Sequence, residues 1–224
     1  MTEMNYKIRK ASLSDVSFIA DVIIGAEKSM TENLGLAKLF GLSESELKTL
    51  IISMLKEEIC GCEFSLDSFF VACYNEKPVA ALGGWMEGHY DGMRSAMLKS
   101  NLISFTFPTK ILQNAASKID LIKELQIERE RGAYQLEYSF VDFEHRGNRL
   151  TQSLMAEHLN FAKSLDPNVK KAQLQIFENN EIITRVHQQS GYCITKRLVS
   201  ENGEILNYFP HNVKLLMEKF FIEE

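Results

Sequence analysis

The sequence predicts an α/β fold built on a mixed sheet, because strand-like and helix-like runs alternate along most of the chain. Three stretches carry that prediction: a hairpin pattern over Phe69–Trp85, a strand that passes through a short loop into a helix between Tyr134 and Phe161, and a strand–helix–strand order from Ala172 to Leu198. The chain has 224 residues, 45% of them hydrophobic and 25% charged, with 12 glycines and 4 prolines. Such a composition folds around a core, and the length predicts one domain spanning 1–224.

Taken in order, Tyr6–Arg9 alternates as a short strand, and Ser12–Asp15 places capping residues ahead of Val16, Ile19, Ala20, Ile23 and Ile24, which share one helical face. Ser43-Glu44-Ser45-Glu46 is a capping box, followed by Leu47, Leu50, Ile51, Met54 and Leu55 on one face of a second helix. Phe69–Tyr74 and Val79–Trp85 form the hairpin around Asn75-Glu76-Lys77-Pro78. From about 89 to 131 the pattern is helical and irregular, an insertion before the strand Tyr134–Val141. Leu150, Leu154 and Phe161 mark a helix that ends near Asp166-Pro167, Ala172–Phe177 is a strand, and Asn180–Ser190 is a helix closed by Gly191. Tyr192–Leu198 and Val213–Met217 complete the strands, with Asn202-Gly203 a turn signal between them.

Composition also excludes classes of function. Asp and Glu number 30 against 25 Lys and Arg, a net charge of -5, so the chain lacks the cationic field of a nucleic-acid binder. Met1-Thr2-Glu3 shows no basic or apolar leader, and no apolar stretch approaches the ~20 residues that span a bilayer, so a cytoplasmic protein without membrane attachment is expected. Cys60, Cys62, Cys73 and Cys193 lack metal-site spacing, so no metal is expected.

The run from Val141 to Leu150 concentrates the chemistry. A strand enters a loop holding Arg146, Gly147 and Arg149, and a helix starts at once, so free N–H groups, the positive end of the helix dipole and two guanidiniums converge where a pyrophosphate could sit. Glycine at 147 lets a ligand approach the backbone, although an ordinary strand–loop–helix connection fits the same residues. On the preceding strand, Leu136, Tyr138 and Phe140 alternate with Gln135, Glu137 and Ser139, giving one apolar and one polar face. A carboxylate on a central strand must line a cleft or be paired, which makes Glu137 a candidate base; a solvated Glu137 on a splayed sheet is the alternative.

The same run resembles the acetyl-CoA-binding motif of the GCN5-related N-acetyltransferase (GNAT) family. Ile8–Ala11 with Asp15, the hairpin Phe70–Trp85, and Asn180–Tyr192 resemble the family's flanking motifs, so the resemblance covers nearly all of the chain outside 89–131. It implies a mostly antiparallel mixed sheet flanked by helices and splayed between the fourth and fifth strands. It further implies acetyl-CoA as cosubstrate, with Phe140, Val141, Arg146, Gly147, Asn148, Arg149, Leu150, Thr151 and Asn180 as its binding residues. Direct transfer to the primary amine of a small molecule or peptide follows, with a backbone N–H near Phe140 or Val141 facing the oxyanion. Arg149 and Thr151 stand where the family has glycine, and glycine or alanine; they add a Cβ at the phosphate but also a bidentate cation and a hydroxyl. His187 stands where the family has the tyrosine that protonates the departing thiolate, and is expected as general acid, with a locally satisfied histidine as the alternative. These two departures leave a second expectation of another class, an acyl-CoA sensor of the same fold without turnover. The insertion at 89–131 is expected to cover the acceptor side of the cleft, or else to join two copies in a homodimer.

Overall fold

The structure is a computed structural model that describes residues 5–221, so Met1–Glu3, read above for a leader, lie outside the described residues. Seven strands form one sheet: β1 (Lys7–Lys10), β2 (Phe69–Tyr74), β3 (Lys77–Met86), β4 (Tyr134–Val141), β5 (Lys171–Phe177), β6 (Cys193–Val199) and β7 (Val213–Phe220). Their spatial order is β1-β2-β3-β4-β5-β7-β6, and every neighbouring pair is antiparallel except β4 and β5. Helices α1 (Val16–Lys28), α2 (Gly35–Phe40) and α3 (Glu44–Leu55) precede β2. Between β3 and β4 lie α4 (Ser95–Thr106), α5 (Thr109–Ala116) and α6 (Ile119–Lys123), while α7 (Leu150–Leu165) links β4 to β5 and α8 (Glu181–Gln189) links β5 to β6.

Local chemistry explains several of these boundaries. Ser43 Oγ accepts the Glu46 N–H, and the Glu46 carboxylate accepts the Ser43 N–H at 2.8 Å, so α3 begins with the capping box read from the sequence. Asn75 and Glu76 both take positive φ, 49° and 64°, which makes the β2–β3 connection a tight two-residue turn. The six-residue α2, opened by Gly35, carries too few residues for a period and has no counterpart in the sequence reading.

The sheet is covered on both faces. Phe69, Val71 and Cys73 pack with α1, α3 and α4, whereas Phe70, Ala72 and Leu82 pack with Leu154, Met155 and Ala162 of α7. Alternate residues of one strand therefore feed two cores, the period-2 geometry of an interior strand.

Two irregularities shape the centre. Strands β4 and β5 pair only over Tyr134–Leu136 and Ala172–Leu174, after which they diverge and leave a gap. Opposite β3, the register slips between Ala81 and Gly83, and Tyr138 takes a φ of 57°. This bulge corrects the simple alternation expected of β4: Leu136 stays in the α7 core, but Tyr138 and Phe140 both pack against the α1 core, the face that Glu137 also serves. Phe140 fits because Gly25 of α1 has no side chain; a Cβ there would lie 3.1 Å from the ring.

Candidate active site at the splayed sheet

The gap between β4 and β5 opens into a cavity of about 610 Å³. Every residue nominated from the sequence lines it except Asn148, whose side-chain amide instead bonds the His145 carbonyl at 3.0 Å. No residue of 89–131 lines it, so the insertion does not cover the cleft as expected. Its helices pack behind the rim instead, α4 on α3, α5 on α2, and α6 on the turn at Gly203–Asn207.

On the α7 side, the loop after β4 has the geometry of an anion cradle. Gly147 takes a φ of 81°, and Arg149, at the N-cap of α7, takes 56°. The chain thus keeps a glycine-type conformation at a position filled by arginine, which turns the loop although it bears a Cβ. Among the described residues, no N–H from Gly147 to Gln152 has a hydrogen-bond partner. Arg146 and Arg149 are exposed beside these groups, and the Arg146 guanidinium lies 5.5 Å from the Phe143 ring. These groups fit a pyrophosphate.

The side chain of Asn180 caps α8 by accepting the Ile183 N–H at 3.3 Å, so its first role is to start the helix that carries His187. His187 is 4% exposed, its Nδ1 has no partner, and burial pushes its pKa down to about 4. The imidazole is therefore neutral near pH 7.

On the α1 side, charges converge on β4. Glu63, buried beside Lys99 at 2.6 Å and Arg129 at 3.2 Å, stays ionised because these two cations outweigh the penalty of burial. Arg129 also reaches Glu137 at 2.5 Å and lies over the Trp85 ring. Glu137, the carboxylate chosen from the sequence, does line the cavity, but Arg129 occupies one of its oxygens. Two further groups were missed. Glu27, in the last turn of α1, lines the cavity; burial raises its pKa, and its Oε1 accepts the Tyr138 hydroxyl at 3.0 Å while Oε2 has no partner. Lys214 of β7 also lines it, and burial lowers its pKa. In sequence, a glutamate at a helix end and a lysine in a strand read as solvated, and only the tertiary fold brings them together.

No family model matches the sequence, and no curated sequence is significantly similar to it. Solved structures are similar in fold. An N-acetyltransferase from Staphylococcus aureus Mu50 superposes with a TM-score of 0.65 at 14% identity, covering 95% of this chain and 99% of that one. A GNAT-family acetyltransferase from Streptococcus pneumoniae gives 0.52 at 14% identity, covering 97% and 100%. The PaiA N-acetyltransferase from Thermoplasma acidophilum, solved in complex with coenzyme A, gives 0.53 at 12% identity, covering 97% and 100%. The chain has the GNAT fold. Among the described residues, no helix is long and apolar enough to cross a membrane, and no cluster of three or more His, Cys, Asp or Glu could hold a metal ion.

Proposed function

We propose that this protein is an acetyl-CoA-dependent N-acetyltransferase acting on the primary amine of a small molecule or peptide. The gap between β4 and β5 carries the reading: it joins the unpartnered N–H groups on the α7 side to a carboxylate and a lysine on the α1 side. Two ligands meeting there from opposite faces of the sheet is what direct transfer in a ternary complex requires. The coenzyme A complex of one fold neighbour supports the choice of cosubstrate.

Acetyl-CoA would supply an activated acetyl thioester. Arg146, Arg149, Thr151 and the loop N–H groups would hold its pyrophosphate, and the edge of β4 over Tyr138–Val141 that β5 leaves open would hold the pantetheine arm. A backbone N–H near Phe140 or Val141 would face the oxyanion. We assign the acceptor's proton to Glu27, because its raised pKa suits a base and Oε2 is free, whereas Glu137 is tied to Arg129. Glu137 then positions Arg129 and the strand. His187, neutral at the working pH, would stabilise the departing sulfur by a hydrogen bond and leave the thiolate to take its proton from water.

Release of CoA thiol in the presence of an amine panel tests the reading, together with calorimetry of acetyl-CoA binding. Loss of one charge-assisted contact of roughly 1.5–3 kcal/mol predicts that Arg146→Ala weakens acetyl-CoA by ~10–100-fold. Saturable binding without thiol release with any amine would favour the acyl-CoA sensor instead.

A further inference from the structure

The acceptor side of the cavity has its own charge pattern. Six ionic groups influence one another there: Glu27, Glu63 and Glu137 against Lys99, Arg129 and Lys214. Four of them satisfy each other, since Glu63 binds Lys99 and Arg129, and Arg129 binds Glu137. That set is neutral and internally paired. The two left over, Glu27 and Lys214, are opposite in sign and both line the cavity, yet neither forms an ion pair with the other or with any described residue. Glu27 has only the Tyr138 hydroxyl, and Lys214 lies 5.5 Å from the Phe177 ring.

Both side chains are half-buried, and a partly desolvated charge without a partner is costly, so a separated pair of opposite sign is best matched by a ligand that is itself dipolar. The two groups also sit on different walls. Glu27 comes from α1, while Lys214 lies opposite Phe177, at the end of β5 where the sheet has already opened. A ligand between them therefore lies beside the gap rather than at the phosphate loop. A purely cationic acceptor such as a polyamine would match Glu27 and be repelled by Lys214. An amine with a carboxylate close to it would match both.

Resting on the acetyltransferase reading, we propose that the acceptor is an amino acid or an equally small zwitterion, with its amine directed to Glu27 and its carboxylate held by Lys214. The zwitterion's ammonium first gives one proton to Glu27, which passes it to water. The freed amine nitrogen then bonds the acetyl carbon as the carbon–sulfur bond breaks, Glu27 takes the second nitrogen proton, and the sulfur leaves as a thiolate that water protonates. Lys214 exchanges no proton and sets specificity through KM.

The test compares leucine, phenylalanine and glutamate with their α-amides and with 1,4-diaminobutane as acceptors, for wild type, Lys214→Gln and Lys214→Arg. Acetyl-CoA affinity is measured in parallel by calorimetry. The wild type should prefer the amino acids to the amides by at least 10-fold in kcat/KM, about the ratio expected for one charge-assisted contact. That preference should vanish in Lys214→Gln through KM and return in Lys214→Arg, with acetyl-CoA affinity unchanged in all three. Preference for the amides or the diamine, or a carboxylate preference that survives in Lys214→Gln, overturns the proposal. Acetyl-CoA binding with no amino acid acetylated overturns it alone and leaves the transferase reading to the wider amine panel. Absence of acetyl-CoA binding overturns the reading beneath both.

Discussion

In the proposed reaction, burial gives Glu27 and His187, two titratable side chains of one cavity, different tasks. Burial pushes the carboxyl of Glu27 up, toward the range where a base works at neutral pH, and pushes the imidazole of His187 down to about 4. Replacing Glu27 by Gln should reduce turnover by ~10²–10⁴-fold, with acetyl-CoA affinity nearly unchanged. Because the base acts only when ionised, wild-type kcat/KM should rise with pH through the raised pKa of Glu27, and Glu27→Gln should lose that limb. His187→Phe should lower kcat by ~10–100-fold through one lost hydrogen bond to the leaving sulfur. The wild-type rate should show no inflection near ~6.5, the ordinary histidine value, that His187→Phe removes. Steady-state rates from pH 5 to 9, a span around these ordinary titration ranges, check all three statements.

Among the elements, the rim of the cavity depends on two loops held together by one side-chain amide and one close backbone approach. Asn33 donates to the carbonyls of Leu206 at 3.0 Å and Phe209 at 3.1 Å, joining the α1–α2 connection to the β6–β7 connection. Gly35, first residue of α2, lies so close to the Tyr208 carbonyl that a Cβ would stand 1.7 Å from its oxygen. Gly35→Ala must separate these loops, which predicts a loss of stability of about 1–3 kcal/mol, an overpacking cost, and a raised KM for the acceptor. Thermal melts and acceptor titrations of the variant check this. The sequence made legible what short-range chemistry decides: the capping box at Ser43, the turn at Asn75-Glu76 and the strand–loop–helix around Arg146. It did not reveal the bulge at Tyr138, because no glycine marks that positive φ. Nor did it reveal Glu27, Lys214 or the Arg129 bridge, because these side chains meet only after α1, the insertion and β7 have packed on one face. The α7 side of the cavity was more legible in the sequence than the α1 side because the former is one contiguous run and the latter is assembled from distant segments.

For the whole molecule, buried histidines link the fold to pH. His158 Nε2 donates to the Leu82 carbonyl at 2.8 Å and its Nδ1 accepts the Tyr134 hydroxyl at 2.8 Å, and burial drives its pKa down to about 3, alongside His187 at about 4. Between the ordinary histidine pKa of ~6.5 and these lowered values, the unfolded chain binds protons that the folded chain does not. Stability therefore falls as pH drops through that window, by up to about 1.4 kcal/mol per pH unit for each histidine. The raised carboxyls of Glu27 and Asp67 oppose this, since the folded chain holds their protons at higher pH than the unfolded chain does. Urea unfolding at pH 7 and pH 5 should show the wild type weaker at pH 5, the drop being smaller in His187→Phe.

On the proposed reading the splayed sheet binds acetyl-CoA, with the pyrophosphate on the loop after β4 and the thioester at the gap. Mapping of backbone amide chemical shifts in the ¹⁵N-labelled protein during titration with acetyl-CoA tests this most directly, because the loop N–H groups that would bond the phosphates report their own occupancy. Saturable shifts are expected, largest at Gly147–Gln152, with further shifts at Tyr138–Val141 and His187. An absence of saturable shifts, or shifts confined to residues outside the cavity, would contradict it.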